Sequence, residues 1–130
     1  MSEASKILIV EDDRDTAEAM RVSLEAQGYH VTTSADVEEG FRKAAEIVPD
    51  VVVLDVKMPG MDGIETIREM KKKNPYTEVI LLTGHASMES GIEGMKLGAF
   101  DYIMKPVNID ELLEKIRQAY ERKLIHQGTP

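Results

Sequence analysis

Residues 51–55 read Val-Val-Val-Leu-Asp, an uninterrupted apolar run that ends in a carboxylate. A short run of this kind predicts a strand that is buried on both faces of a parallel sheet. Asp55 then lies at the carboxyl end of the strand, the edge of an open α/β sheet where ligands and chemistry are found. The stretch therefore predicts a fold class and the position of a functional site together.

A second acidic group, Glu11-Asp12-Asp13, follows another apolar run at residues 7–10. The carboxyl ends of parallel strands share one edge of the sheet, so the two runs are expected to bring carboxylates to one place. Such side chains repel one another unless a cation lies between them. We therefore predict a hard divalent metal ion beside Asp55. Because acids are also favoured at helix starts, we expect Asp13 or Asp15 to cap the next helix while Asp12 binds the metal.

The chain has 130 residues and a mass of 14.5 kDa, which fits a single compact domain. We expect its core at residues 6–122 and a helix end and tail at 123–130. The formal charge of −8 argues against a broad surface for nucleic acid or anionic membrane. Without cysteine, disulfides and zinc–thiolate sites are excluded. No apolar run approaches the roughly 20 residues that span a bilayer, so we expect a soluble, cytoplasmic protein that binds neither nucleic acid nor membrane directly.

Strand and helix patterns alternate along the whole chain. Strands are predicted at residues 6–10, 30–34, 51–55, 79–82 and 100–104. Helices are predicted between Asp13 and a cap at Gly28, between Asp36 and Pro49, at 63–73, at 87–97, and from Ile109 after a cap at Asn108. Five such repeats with short loops predict a parallel sheet covered by helices on both faces, with the polar strand at 30–34 on its edge.

Several short motifs occur in a fixed order, each at the predicted carboxyl end of a strand. They are Glu11-Asp12, Asp55, the loop Lys57-Met58-Pro59-Gly60-Met61-Asp62-Gly63, Thr83-Gly84, and Gly98-Ala99 to Tyr102 with Lys105-Pro106. Over residues 6–122 the chain resembles the receiver domain of two-component response regulators. The resemblance implies a doubly wound, flavodoxin-like (βα)5 fold with strand order 2-1-3-4-5, which brings Asp12 and Asp55 together at the switch point.

The resemblance also implies chemistry at this edge. Asp55 is expected to accept a phosphoryl group from a phosphohistidine on a sensor histidine kinase or a histidine phosphotransfer protein. Magnesium is the expected cofactor, because oxygen-only ligands with retained waters suit it. Its expected ligands are Asp12 and Asp55, Glu11 directly or through water, and the backbone carbonyl of Lys57. Such a domain is not a conventional enzyme, although it catalyses its own phosphorylation and its autodephosphorylation.

Other residues are expected, by the same resemblance, to act on the phosphoryl group or to read it out. Lys105 is expected to place its ammonium on the phosphoryl oxygens, and Thr83 to donate its hydroxyl. Gly84 leaves room for the group to approach. Tyr102 occupies the family's rotamer-switch position and turns inward when Thr83 moves. The bond between Lys105 and Pro106 is expected to be cis.

Two variable positions are expected to set how long the phosphoryl group persists. Lys57 and His85 each follow a reacting residue, Asp55 and Thr83, by two positions. We predict that they shield or orient the water that attacks the aspartyl phosphate. The switched state is expected to act on an unknown downstream effector through the face formed by the fourth helix, fifth strand and fifth helix. Homodimerisation through the same face is compatible with the family.

Three alternatives remain open on the sequence alone. A magnesium-dependent hydrolase of the haloacid dehalogenase type also forms an aspartyl phosphate, but it places Asp-x-Asp after the first strand. A flavodoxin-like protein binds flavin mononucleotide, but Glu11-Asp12-Asp13 would repel its phosphate. An inert receiver-like interaction module has no need of the complete acidic set with Thr83 and Lys105. We therefore favour an active receiver.

Overall fold

A computed structural model describes residues 5–55, 63–84, 95–96 and 98–128 of the chain. The strands are β1 (Lys6–Val10), β2 (His30–Ser34), β3 (Val51–Asp55), β4 (Glu78–Thr83) and β5 (Asp101–Met104). The helices within these residues are α1 (Arg14–Glu25), α2 (Val37–Ile47), α3 (Gly63–Lys73) and a C-terminal helix (Ile109–His126). The helix predicted at 87–97 lies almost entirely outside the described residues.

All five strands are parallel and form one sheet in the order β2-β1-β3-β4-β5. The predicted doubly wound fold is therefore confirmed, and β2 is an edge strand as its polar sequence indicated. In the register of the sheet, Val10 of β1 pairs with Leu54 of β3, and Asp55 pairs with Leu82 of β4. The carboxyl ends of β1, β3 and β4 consequently lie at one edge of the sheet.

Two apolar layers cover the sheet. One face packs against α1 and the C-terminal helix, through residues that include Ile9, Met20 and Ile116. The other face packs against α2 and α3, through residues that include Leu54 and Ile67. Burial on both faces explains why β3 and β4 are apolar at consecutive positions rather than at alternate ones. None of the described helices is long and apolar enough to span a membrane.

The helix starts follow the predicted capping pattern. The side chain of Asp13 caps α1, that of Asp36 caps α2, and that of Asn108 caps the C-terminal helix. Each side-chain oxygen accepts a hydrogen bond from a backbone N–H of the first turn, which would otherwise have no partner. Of the two acids considered for α1, it is Asp13 that performs this role.

Helix α1 ends at Glu25, and the chain leaves it through a left-handed residue at Gly28, with φ of 97°. The N–H of Gly28 donates to the carbonyl of Glu25 at 3.0 Å, and the N–H of Tyr29 donates to that of Leu24 at 3.3 Å. This is the Schellman arrangement, in which glycine tolerates the positive φ. The predicted cap at Gly28 is therefore correct, although regular helical structure ends three residues earlier.

Candidate functional site

Three carboxylates meet at the carboxyl edge of the sheet. One side-chain oxygen from each of Glu11, Asp12 and Asp55 lies within 4.8 Å of the others, and these residues are named here the acidic cluster. Glu11 follows β1 directly, and its backbone N–H donates to the carbonyl of Ser34 at 2.9 Å. Asp55 is the last residue of β3. The predicted approach of the two strand ends is therefore present, because adjacent parallel strands end in register.

Lys105 supplies one positive charge to the acidic cluster. Its Nζ donates to Oδ2 of Asp55 at 2.9 Å and lies 3.1 Å from Oε1 of Glu11. The backbone N–H of Lys105 donates to the carbonyl of Thr83 at 2.7 Å, which fixes the residue beside the end of β4. The peptide bond between Lys105 and Pro106 is cis, as expected.

The electrostatics of the site reflect burial and crowding. Burial raises the pKa of Glu11 to about 7, and a hydrogen bond with the Asp55 carboxyl group acts in the same direction. The N–H of Asp13 and the ammonium of Lys105 oppose this rise but do not cancel it. For Lys105, burial lowers the pKa, but hydrogen bonds to Asp55 and Glu11 outweigh it, so the pKa is raised. The ammonium thus stays charged, and it is the one positive charge that the described residues place against the three acids.

The acidic cluster fits a magnesium ion. Its side-chain donors are all carboxylate oxygens, the ligand type that magnesium prefers over the nitrogen and sulfur ligands typical of zinc. Asp12 is exposed to solvent, whereas Glu11 and Asp55 are buried, so the ion would face water on one side. Oε1 of Glu11 is buried and lies 3.1 Å from the ammonium of Lys105. A bound cation would give this buried oxygen a further partner.

Thr83 and Tyr102 lie on adjacent strands near this edge. Thr83, the last residue of β4, is fully buried, and its hydroxyl oxygen has no hydrogen-bond partner among the described residues. Tyr102 is half-buried on β5 opposite Leu81 and packs against the apolar layer beneath α2 and α3. Within the described part of the chain no other group holds this hydroxyl, so it can donate a hydrogen bond to an incoming group.

Of the three other positions predicted for the site, the structure describes only Gly84. Gly84 follows β4, and a methyl group built on its Cα would meet no atom of the described chain within 4 Å. This is consistent with an open approach to the site. Lys57 and His85 lie outside the described residues, so their assigned roles stay predictions.

One contact at the site was not predicted from the sequence. The backbone N–H of Asp13, expected only to cap α1, donates to Oε2 of Glu11 at 3.1 Å. The sequence carries one usable signal, because a capping acid two residues after a buried acid places that N–H next to the carboxylate. Capping patterns alone do not distinguish this case from an ordinary helix start.

A family model described as the response regulator receiver domain matches residues 7–117. The chain belongs to this family. Similar proteins include the uncharacterized transcriptional regulatory protein YkoG of Bacillus subtilis, 43% identical over 117 residues, or 90% of the receiver and 51% of YkoG. The regulatory protein AtoC of Escherichia coli is 35% identical over 121 residues, or 93% of the receiver and 26% of AtoC.

A solved structure of a response regulator receiver domain protein from Clostridium thermocellum has a TM-score of 0.88 and 38% identity to the receiver. The match covers 93% of the receiver and 98% of that chain. The family assignment favours phosphorylation-dependent switching in two-component signalling over the hydrolase and flavin alternatives. The receiver spans about half the length of YkoG and about a quarter of AtoC.

Proposed function

We propose that the receiver accepts a phosphoryl group on Asp55 with magnesium bound in the acidic cluster, and that a histidine kinase or a histidine phosphotransfer protein supplies it. The observation that carries this proposal is the convergence of three carboxylates within 4.8 Å, with the ammonium of Lys105 2.9 Å from Asp55. The arrangement supplies a nucleophile, ligands for a cation and a fixed positive charge at one strand end.

The transfer is an in-line displacement at phosphorus. An oxygen of the Asp55 carboxylate forms the new O–P bond while the P–N bond to the donor imidazole breaks. The imidazole nitrogen keeps the electron pair of the broken bond and takes up a proton. Bound magnesium would neutralise charge on the transferring group, held by Glu11, Asp12 and Asp55 together with the backbone carbonyl of Lys57. Lys105 exchanges its hydrogen bond with Asp55 for one with the phosphoryl oxygens.

Switching begins at Thr83. Its hydroxyl, which has no hydrogen-bond partner among the described residues, donates to a phosphoryl oxygen, which moves the side chain toward Asp55. Tyr102 then turns into the space that Thr83 leaves, and Gly84 keeps the approach open. The altered face includes β5 and the C-terminal helix and contacts the downstream effector. Lys57 and His85 set the lifetime of the phosphorylated form by controlling the attacking water.

Intact-mass spectrometry after incubation with acetyl phosphate and magnesium tests the proposal. We expect the wild type to gain the mass of one phosphoryl group, and Asp55→Asn, or the wild type with chelator, to gain none. Substituting Lys57 and His85 should change the rate at which this added mass disappears. An increase of equal size in Asp55→Asn would contradict the assignment of the acceptor. No increase in the wild type at any incubation time would favour an inert interaction module.

A further inference from the structure

Asp13 joins the start of α1 to the acidic cluster by hydrogen bonds on both of its sides. Toward the helix, its Oδ1 accepts from the N–H of Asp15 at 3.0 Å and from that of Thr16 at 3.2 Å. Its carbonyl accepts from the N–H of Ala17 at 3.0 Å. Toward the strand, its own N–H donates to Oε2 of Glu11 at 3.1 Å. The backbone of Asp13 is extended, with φ of −80° and ψ of 109°, as is typical of a residue that caps a helix start.

These contacts restrict the carboxylate of Glu11. Its backbone is held by the carbonyl of Ser34 and its Oε2 by the N–H of Asp13. The remaining oxygen, Oε1, is buried and lies 3.1 Å from the ammonium of Lys105. Because Oε2 is held by Asp13, Oε1 is the oxygen of Glu11 that an added cation would share with Lys105. A ligand oriented in this way loses less side-chain freedom when a cation binds.

We propose that Asp13 is a positioning residue for the magnesium site: its side chain anchors the α1 start so that its N–H orients Glu11 toward the cation. This inference rests on the proposed function, because it concerns the same cation. It assigns to Asp13 a role through Glu11, without direct contact with the metal. The capping carboxylate and the metal ligand thus form one hydrogen-bonded unit.

Three variants of Asp13 separate its charge from its anchoring role. Asp13→Asn keeps a capping oxygen and removes only the charge, whereas Asp13→Ala removes both. Asp13→Gly also removes the oxygen, but glycine is tolerated at the cap position and so preserves more of the helix stability. The matched control is the Asp36 pair, Asp36→Asn and Asp36→Ala. Asp36 caps α2 in the same way, through the N–H of Glu39 at 2.8 Å, and is not part of the acidic cluster.

The test is a magnesium titration of each folded variant, monitored by two-dimensional NMR, which gives the magnesium affinity. Urea denaturation of the same variants gives their stability. We expect Asp13→Ala and Asp13→Gly to bind magnesium about tenfold more weakly than Asp13→Asn, the loss typical of residues that orient a metal ligand. Asp36→Ala should bind magnesium as tightly as Asp36→Asn while losing stability as Asp13→Ala does. If Asp13 only capped its helix, Asp13→Ala and Asp36→Ala would lose stability and leave the magnesium affinity unchanged.

Two results would overturn the inference. One is equal magnesium affinity in Asp13→Asn, Asp13→Ala and Asp13→Gly. This result would show that the capping oxygen of Asp13 stabilises the helix start but does not orient Glu11. The other is an equal loss of affinity in Asp36→Ala, which would make the effect a general result of helix fraying. Failure of the wild type to bind magnesium would instead overturn the proposed function itself, so the two failures are distinguishable.

Discussion

Both ends of the sheet carry buried charges, but acidic groups outnumber basic ones at the carboxyl end, whereas basic groups outnumber the acidic one at the amino end. At the carboxyl end, within the described part of the chain, three carboxylates of the acidic cluster face the single ammonium of Lys105. At the amino end, the carboxylate of Glu78 is fully buried, with Nε of Arg122 at 3.2 Å, Nδ1 of His126 at 3.7 Å and Nζ of Lys71 at 3.8 Å. We call these four residues the amino-end cluster.

The difference lies in where the compensating charge comes from. In the amino-end cluster, Arg122 also stacks over the ring of Phe100 at 5.4 Å, and Lys71 donates to the carbonyls of Pro75 and Thr77. Burial lowers the pKa of Lys71 despite the opposing charge of Glu78. The chain thus supplies its own cations at this end. Among the described residues, the acidic cluster has Lys105 alone for its three carboxylates, so the carboxyl end has a physical need for an added cation.

The largest expected effect comes from removing one acid at each end. Glu78→Gln removes the buried counter-charge of Lys71 and Arg122 and should lower the free energy of unfolding by about 2 kcal/mol. Breaking a fully buried ion pair costs about 3–5 kcal/mol. The expected loss is smaller here because the side chains of Lys71 and Arg122 are 20% and 39% exposed, so water partly solvates their charges. Asp55→Asn relieves repulsion and should raise the metal-free stability by about 1 kcal/mol. Urea denaturation with chelator measures both, and equal losses would contradict the comparison.

Magnesium should act on only one end. At a free concentration ten times its Kd, binding to the native state alone stabilises the receiver by about 1.4 kcal/mol. We expect the melting temperature of the wild type and of Glu78→Gln to rise by similar amounts, and that of Asp55→Asn to stay nearly constant. Thermal denaturation with and without chelator provides the measurement. An unchanged melting temperature in the wild type would count against a cation in the acidic cluster.

The smallest expected effect is a change in magnesium affinity when the lysine at one end of the sheet, Lys105 or Lys71, is replaced. Lys105 already holds two acids of the acidic cluster, so it competes with an incoming cation for their charge. Lys105→Met should therefore tighten magnesium binding about fivefold, equivalent to about 1 kcal/mol. Lys71→Met, the matched change in the amino-end cluster, should leave the affinity unchanged. Titrations of the two variants by NMR would decide, and weaker binding in Lys105→Met would show that the lysine supports the metal site.

The carboxyl end could be predicted from the sequence because its signals are local. The apolar run before Asp55 indicates a buried parallel strand, and the acids after residues 7–10 indicate a second strand end at the same edge. Asp36 and Asn108 mark their helix starts through a spacing of three residues to Glu39 and Glu111. Each pattern needs only the periodicity of one element or one turn.

The amino end could not be predicted in this way. Glu78 stands just before an apolar run, where an acid is usually taken as the exposed start of a strand. Its burial depends on Lys71 from α3 and on Arg122 and His126 from the C-terminal helix, which are distant in sequence. The second contact of Asp13 was missed for a related reason, since it depends on the rotamer of Glu11. Contacts between side chains of elements that are distant in sequence produce no periodic pattern in a single sequence, so they could not be predicted from it.

Val10 pairs with Leu54 through main-chain groups, so the separation of Glu11 and Asp55 does not depend on which apolar side chains fill the two strands. Core substitutions can accumulate and be compensated by repacking without changing the distance between the backbones that carry the two carboxylates. The spacing of these two chain positions is in this sense specified by the peptide backbone, which every sequence of the fold shares. Such a scaffold lets surfaces and partners diverge between lineages while the two strand ends keep their separation.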